Sequence, residues 1–336
     1  MATGCFEMSR ADRPQGYRIA DESLLDDASR ALIDQIELSD APHYTAMTPA
    51  ELRAGHADFF AALDLKEKGL ASVEKINIAR SDGSLMSAWI YRPIGTEAVN
   101  PLPVMLYCHG GGMMVGSLET YDAMTKRMCA KSGVAIVSID YRLTPEHRYP
   151  SAHEDCFHAI RWLVERAGSL GLDGTRLAIG GDSGGGLLSA SAARLSAKGD
   201  LPPILFQLLI YPFLGRRHDY ASYVEFQDGY FGSSRQLDWF IANYLNFPDE
   251  LNSPTFSAIL DDNFVGLPPT FIATAGYDML RDEAEDYGRL LQAAGGMVEI
   301  RRYASTFHPF FNAAGVIPAG CEAIDACAQA LARAVS

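Results

Sequence analysis

The feature that most narrows the fold of this chain is the alternation that runs through its middle and end. Short apolar runs at 104–108, 134–139, 177–179, 204–210 and 270–275, and a last strand at 298–303, are separated by stretches with helical spacing. Those stretches are read as helices at 119–132, ended by Gly133, and at 151–168 and 184–198. Two more follow at 281–294, stopped by Gly295-Gly296, and at 319–335. The apolar runs do not alternate with polar residues, so each strand is covered on both faces. Strands of that kind joined through helices form a parallel sheet. Upstream, 73–80 and 85–91 read as two strands joined by Ser81-Asp82-Gly83-Ser84, a hairpin signal. The expectation is an α/β fold with an eight-stranded, mostly parallel sheet: two antiparallel strands at the front and six parallel ones behind.

Two parts of the chain are left over. Near the start, Leu24, Leu25, Ala28, Leu32, Ile33 and Ile36 form a helical stripe. A second helix opens at Thr48-Pro49, a cap followed by a first-turn proline, and runs to about residue 63. Between Tyr211 and Pro268 lie almost 60 residues with no strand signal but many aromatics, among them Tyr223, Phe231, Trp239 and Phe240. A connection that long inside a compact domain is usually functional. It is read as a helical cap, built together with the N-terminal helices. The expected organisation is cap helices in 1–65, with 1–18 a loose terminus. The body is then 66–336, with 212–268 as the cap insertion.

Composition excludes several classes. With 48% apolar and 21% charged residues the chain reads as a soluble globular protein. A net charge of -14 repels phosphate backbones and anionic lipid heads, so neither nucleic acid nor a membrane surface is an expected partner. The first residues carry no apolar signal region and no 18-residue apolar run follows, which points to the cytoplasm. No two of Cys5, Cys108, Cys129, Cys156, Cys321 and Cys327 are separated by two residues. They read as reduced thiols, and zinc-ribbon spacing is absent.

The chemistry concentrates at three places. Gly181-Asp182-Ser183-Gly184-Gly185 follows an apolar run and opens a helix, the strand–turn–helix setting of a G-x-S-x-G nucleophile elbow. So sharp a turn tolerates only small neighbours, and it leaves the serine hydroxyl exposed over a helix N-terminus that favours a developing anion. His109-Gly110-Gly111-Gly112 follows the run at 104–108. Its glycines let backbone N–H groups turn toward a substrate, and with the N–H of Gly184 they can form an oxyanion hole. His109 itself is read as holding the loop. On such elbows the partners follow in chain order serine, acid, histidine. Only His218 and His308 follow Ser183, and His218 falls in the insertion beside Arg216-Arg217. His308 is left as the base, in a loop after the last strand. Asp278, where the run at 270–275 ends, is the acid that would fix its tautomer.

Taken together these residues resemble the bacterial hormone-sensitive-lipase-like esterases. The resemblance rests on His109–Gly112, on GDSGGG at 181–186 and on DMLRDE at 278–283. It rests also on Asp140-Tyr141-Arg142-Leu143, continued as Pro145-Glu146-His147 and Tyr149-Pro150, and it spans roughly 75–315. It implies an α/β-hydrolase with a helical cap, no cofactor or metal, and small-molecule esters with short- to medium-chain acyl groups as substrates. It places the oxyanion donors at Gly111, Gly112 and Gly184 and the triad at Ser183, Asp278 and His308. Asp140–Arg142 reads as structural.

Four positions depart from the family pattern: Gly184 stands for the usual alanine, Met113-Met114 for an aromatic, Met279 for proline and Pro309 for glycine. Met113, Met114, Met279 and Phe310 are expected to line a softer pocket that accepts bulkier esters. An acyltransferase or a lactone or amide hydrolase could use the same groups, and a non-catalytic ligand-binding protein could share the fold. The last strand, 298–303, would offer an open edge for a homodimer.

Overall fold

The computed structural model describes residues 20–37, 39, 42–66, 69–96, 101–215 and 220–335. The readings made for residues 1–18, including Cys5, and for Arg216, Arg217 and His218 lie outside the described residues.

The sheet is assembled from β1 (Ala71–Ala79), β2 (Leu85–Pro93), β3 (Leu102–Cys108), β4 (Ala135–Ile139), β5 (Leu172–Asp182), β6 (Phe206–Ile210), β7 (Thr270–Tyr277) and β8 (Val298–Phe307). Its order is β1-β2-β4-β3-β5-β6-β7-β8. β2 pairs antiparallel with both β1 and β4, and every later pairing is parallel. The unalternating runs behave as their composition demands: every residue of β3, β4, β6 and β7 is buried.

Helices cover both faces. They are α3 (Asp122–Ser132), α4 (Ser151–Arg166), α5 (Gly184–Ala197), α8 (Arg281–Ala293) and α9 (Pro318–Val335). α3 ends at Gly133 in the left-handed conformation, where the missing β-carbon removes the steric cost. The main core joins the central strands to α3, α4, α5 and α9. A second cluster under α8 gathers Leu209, Ile272, Tyr287 and Leu291. The five cysteines among the described residues are free thiols, four of them buried.

Two strands differ from their sequence limits. β5 starts earlier than 177 because Leu172 and Asp173 already pair with Leu102 and Pro103, ahead of a register shift. β8 runs past 303 to Phe307, which pairs with Tyr277 after a shift in β7. His308 therefore leaves directly from a strand end rather than from a free loop.

The remaining helices come from the two segments outside the alternation. In the first are α1 (Asp27–Glu37) and α2 (Pro49–Leu63). α2 starts on a full capping box, with Thr48 Oγ1 accepting from Glu51 N while the Glu51 carboxylate accepts from Thr48 N. The second segment contributes α6 (Ala221–Glu225) and α7 (Ser234–Tyr244), and among its described residues no strand lies between β6 and β7. The segments meet through aromatic rings: Phe59 stacks on Phe231 at 5.3 Å, and Tyr44 sits 5.2 Å from Trp239. Leu52, Met114 and Val115 form a small apolar cluster with Trp239 and Phe240, joining α2 and α7 to the loop after β3.

Candidate active site

In an open parallel sheet, ligands bind beyond the carboxyl ends of the strands, and those ends here carry the residues singled out by sequence. Ser183 sits between β5 and α5 with φ 50° and ψ -116°, a conformation that costs a non-glycine residue of order 1–3 kcal/mol. The turn is held by Ser183 N donating to Ile210 O at 2.9 Å and Phe213 N donating to Ser183 O at 3.1 Å. Its flanking glycines are required by contact. A β-carbon on Gly181 would lie 2.6 Å from Cys108 O, and one on Gly185 would lie 2.6 Å from His109 O.

His308 and Asp278 leave neighbouring strand ends, and Nδ1 of His308 lies 3.0 Å from Oδ2 of Asp278. Both residues are buried. The other carboxylate oxygen of Asp278 accepts from Leu280 N at 2.8 Å, so the acid is fixed from two sides. Tyr211 presses its ring against the imidazole, centroids 4.5 Å apart. Over the imidazole passes Gly232, where a β-carbon would come within 3.0 Å of His308 Cδ2.

The loop after β3 is wound by successive positive φ angles at Gly111 (104°), Gly112 (59°) and Met113 (60°). His109 anchors it from below. Its Nδ1 lies 2.8 Å from Gly110 O, and its ring is stacked between Tyr121 and Tyr141 at 5.4 and 4.4 Å. Burial pushes its pKa down to about 4, so the ring is neutral and serves as a packing piece.

Sequence reasoning missed two groups at this site. The first is Asp182, beside the serine and fully buried. Its carboxylate accepts from Tyr107 Oη at 2.8 Å, Gly110 N at 2.7 Å and Tyr121 Oη at 3.1 Å, tying the elbow to the glycine loop. Burial outweighs those bonds and raises its pKa to about 6. The second is Arg53 of α2. Its guanidinium donates to Met114 O and Thr144 O, each at 2.9 Å, and grips Glu146 through both carboxylate oxygens at 2.9 and 2.6 Å. No local signal could have found Arg53, whose partners lie 61 to 93 residues away.

One cavity opens on these groups. Gly111, Gly112, Asp182, Ser183, His308, Pro309 and Met279 form its floor; Leu52, His56, Phe59, Phe231, Gln236 and Phe240 are among the residues of its walls. His56 is a neutral ring here, its pKa lowered to about 3 by burial. Of the four residues expected to line the pocket, Met279 does. Met113, Met114 and Phe310 are buried outside the lining. The left-handed turn at Met113 carries its side chain against the elbow, Met114 packs under α2, and Phe310 packs on Tyr211, Tyr303 and Phe311. Arg142 serves structure: with Arg80 it is bonded to the buried Asp155 of α4.

Comparison with known proteins agrees with this architecture. The family described as alpha/beta hydrolase fold matches residues 105–312. A carboxylesterase of Mycobacterium tuberculosis, NlhH, is 40% identical over 237 residues, which cover 70% of this chain and 74% of the relative. An ethyl acetate hydrolase of Pseudomonas putida is 32% identical over 260 residues, covering 77% and 82%. Among solved structures, an ester-hydrolase from the Lake Arreo metagenome, complexed with a bipyridine phosphonate derivative, superposes with a TM-score of 0.87. It is 34% identical, with 92% of this chain and 98% of that one covered. A thermostable esterase from Pseudomonas putida ECU1011 gives a TM-score of 0.89 at 28% identity, covering 94% and 99%. By sequence, strand order and superposition alike, the chain belongs to the α/β-hydrolase fold family, in its hormone-sensitive-lipase-like branch.

Proposed function

We propose that this protein is a serine carboxylic ester hydrolase for short- to medium-chain acyl esters, with Ser183 as nucleophile, His308 as general base and Asp278 as the acid behind it. The observation that carries this reading is the single cavity shared by Ser183, His308, Gly111 and Gly112, with His308 backed by Asp278 at 3.0 Å. Ser183 Oγ attacks the ester carbonyl as His308 takes its proton. Asp278 accepts from Nδ1–H and stabilises the imidazolium. The N–H groups of Gly111, Gly112 and Gly184 hold the oxyanion, each donor worth roughly 10²–10³ in turnover. The alcohol leaves with the proton from His308, and water repeats the sequence on the acyl-enzyme. The relatives named as esterases support this reading of the reaction.

Within the cap proposed for 1–65 and 212–268, α2 and the stretch from Phe231 through α7 wall the cavity. The rings of Phe59, Phe231 and Phe240 supply a stiff apolar wall suited to an ester with a bulky or aromatic group. A fluorophosphonate is expected to label Ser183 covalently. Ser183→Ala and His308→Ala are each expected to remove nearly all hydrolysis of p-nitrophenyl butyrate. More than a few per cent of activity in either variant breaks the assignment, and an ester series peaking sharply at acetate breaks the substrate reading.

A further inference from the structure

Met113 stands outside the cavity lining, yet it touches the backbone that the proposed chemistry uses. Its φ of 60° is one a side-chain-bearing residue keeps only when its surroundings hold it there. Two restraints are visible. The carbonyl of Met113 accepts from Thr144 N at 2.8 Å, and the side chain is fully buried. That side chain reaches the elbow. A β-carbon on residue 184 would lie 2.9 Å from Met113 Sδ, 3.2 Å from Gly112 N and 3.3 Å from Gly112 Cα. Unbonded heavy atoms rest at roughly 3.5–4.0 Å, so the thioether already fills the room that a side chain at 184 would need. It packs where the two arms of the proposed oxyanion hole meet, against the helix start that carries Gly184 and beside the loop that carries Gly112.

We infer that Met113 is a positioning residue: its buried thioether is the spacer that sets how far the Gly112 and Gly184 N–H groups stand apart, and the bare Cα at 184 is the other half of that fit. The inference rests on the proposed roles of Ser183 and the oxyanion donors. Methionine suits the task because its unbranched, flexible chain fills an irregular gap. A methyl group added at 184 has to displace either the sulfur or the Gly112 backbone, and the second choice moves a donor away from the oxyanion.

The test is a double-mutant cycle on Gly184→Ala and Met113→Ala. It is read as kcat per fluorophosphonate-titrated site and as KM for p-nitrophenyl butyrate. Gly184→Ala is expected to lower kcat about 10- to 100-fold with KM little changed, since a misplaced donor forfeits part of a transition-state contact. Adding Met113→Ala should return at least about tenfold of that loss, because the two changes share one space. Met113→Leu, of similar volume, should stay close to the parent.

The inference is overturned if the double variant is no better than Gly184→Ala alone, or if Gly184→Ala turns over within about twofold of the parent. A Gly184→Ala chain that does not fold, with a double variant that does, supports the same fit. If neither folds, the comparison of Met113→Ala with Met113→Leu decides. A kcat loss confined to the alanine supports the spacer, and equal rates overturn it. Failure of the underlying reading looks different: the parent protein would then not be labelled at Ser183 at all.

Discussion

Asp182 shares a peptide bond with the serine but does unrelated work. Three donors converge on a carboxylate that is 1% exposed, and the cost of burying its charge still exceeds what they return. Its pKa therefore rises from 3.8 to about 6. A carboxyl raised in the folded state adds stability that is present below pH 3.8 and is lost as pH climbs through about 6. Asp182→Asn removes that dependence. Between pH 4 and 7, the stability of the asparagine variant relative to the parent is expected to improve by up to about 3 kcal/mol, as read by urea unfolding at both pH values. A constant difference across that range would show that Asp182 does not titrate there. Chain order singled out Ser183, Asp278 and His308, each of which lies just past a strand end. The direction of a side chain leaving a left-handed turn is not written in a sequence. That is why Met113 was expected in the pocket and is found behind it, while Asp182 passed as a spacer inside a motif.

Helix α2 contributes Leu52, His56 and Phe59 to the cavity, and one arginine holds it in place. A guanidinium can serve two carbonyls and a carboxylate at once, which a lysine ammonium on its flexible stem cannot match. The pair with Glu146 is partly exposed, 30% and 49%, so solvent screens it and the carbonyl bonds matter more. Arg53→Ala and Arg53→Lys are expected to raise KM by about 5- to 20-fold with a smaller change in kcat, while Glu146→Gln stays within about twofold. Equal losses in the arginine and glutamate variants would assign the effect to the ion pair instead. The strands β3, β4, β6 and β7 were legible because burial on both faces makes their runs mostly apolar. The full extents of β5 and β8 were not, since Leu172 and Phe307 join the sheet through pairings on the far side of register shifts. Arg53 was invisible for a related reason: two of its acceptors are backbone carbonyls, which every residue has, and the third lies 93 residues away.

β8 is one of the two edge strands, and its 298–303 stretch is the edge proposed for a second copy. Charge blunts most exposed edges against such pairing, but here the charges complement one another. A two-fold antiparallel pairing centred on Ile300 would set Glu299 of each copy opposite Arg301 of the other, a favourable cross-strand arrangement. Light scattering is expected to give twice the mass of one chain, falling to a single chain in Arg301→Glu. A single-chain mass for the parent protein removes the proposal. The walls above the serine pose a different question of scale. Phe59 and Phe231 stack across 5.3 Å although 172 positions (231 minus 59) separate them in the chain. Ser183, His308 and Asp278 all hang on the sheet, whereas the surface above them is stitched from two pieces of polypeptide far apart in the chain. Preference among esters is thus free to drift through changes in those pieces while the reacting groups stay untouched, which gives a laboratory selection two short windows to randomise and a scaffold to leave alone.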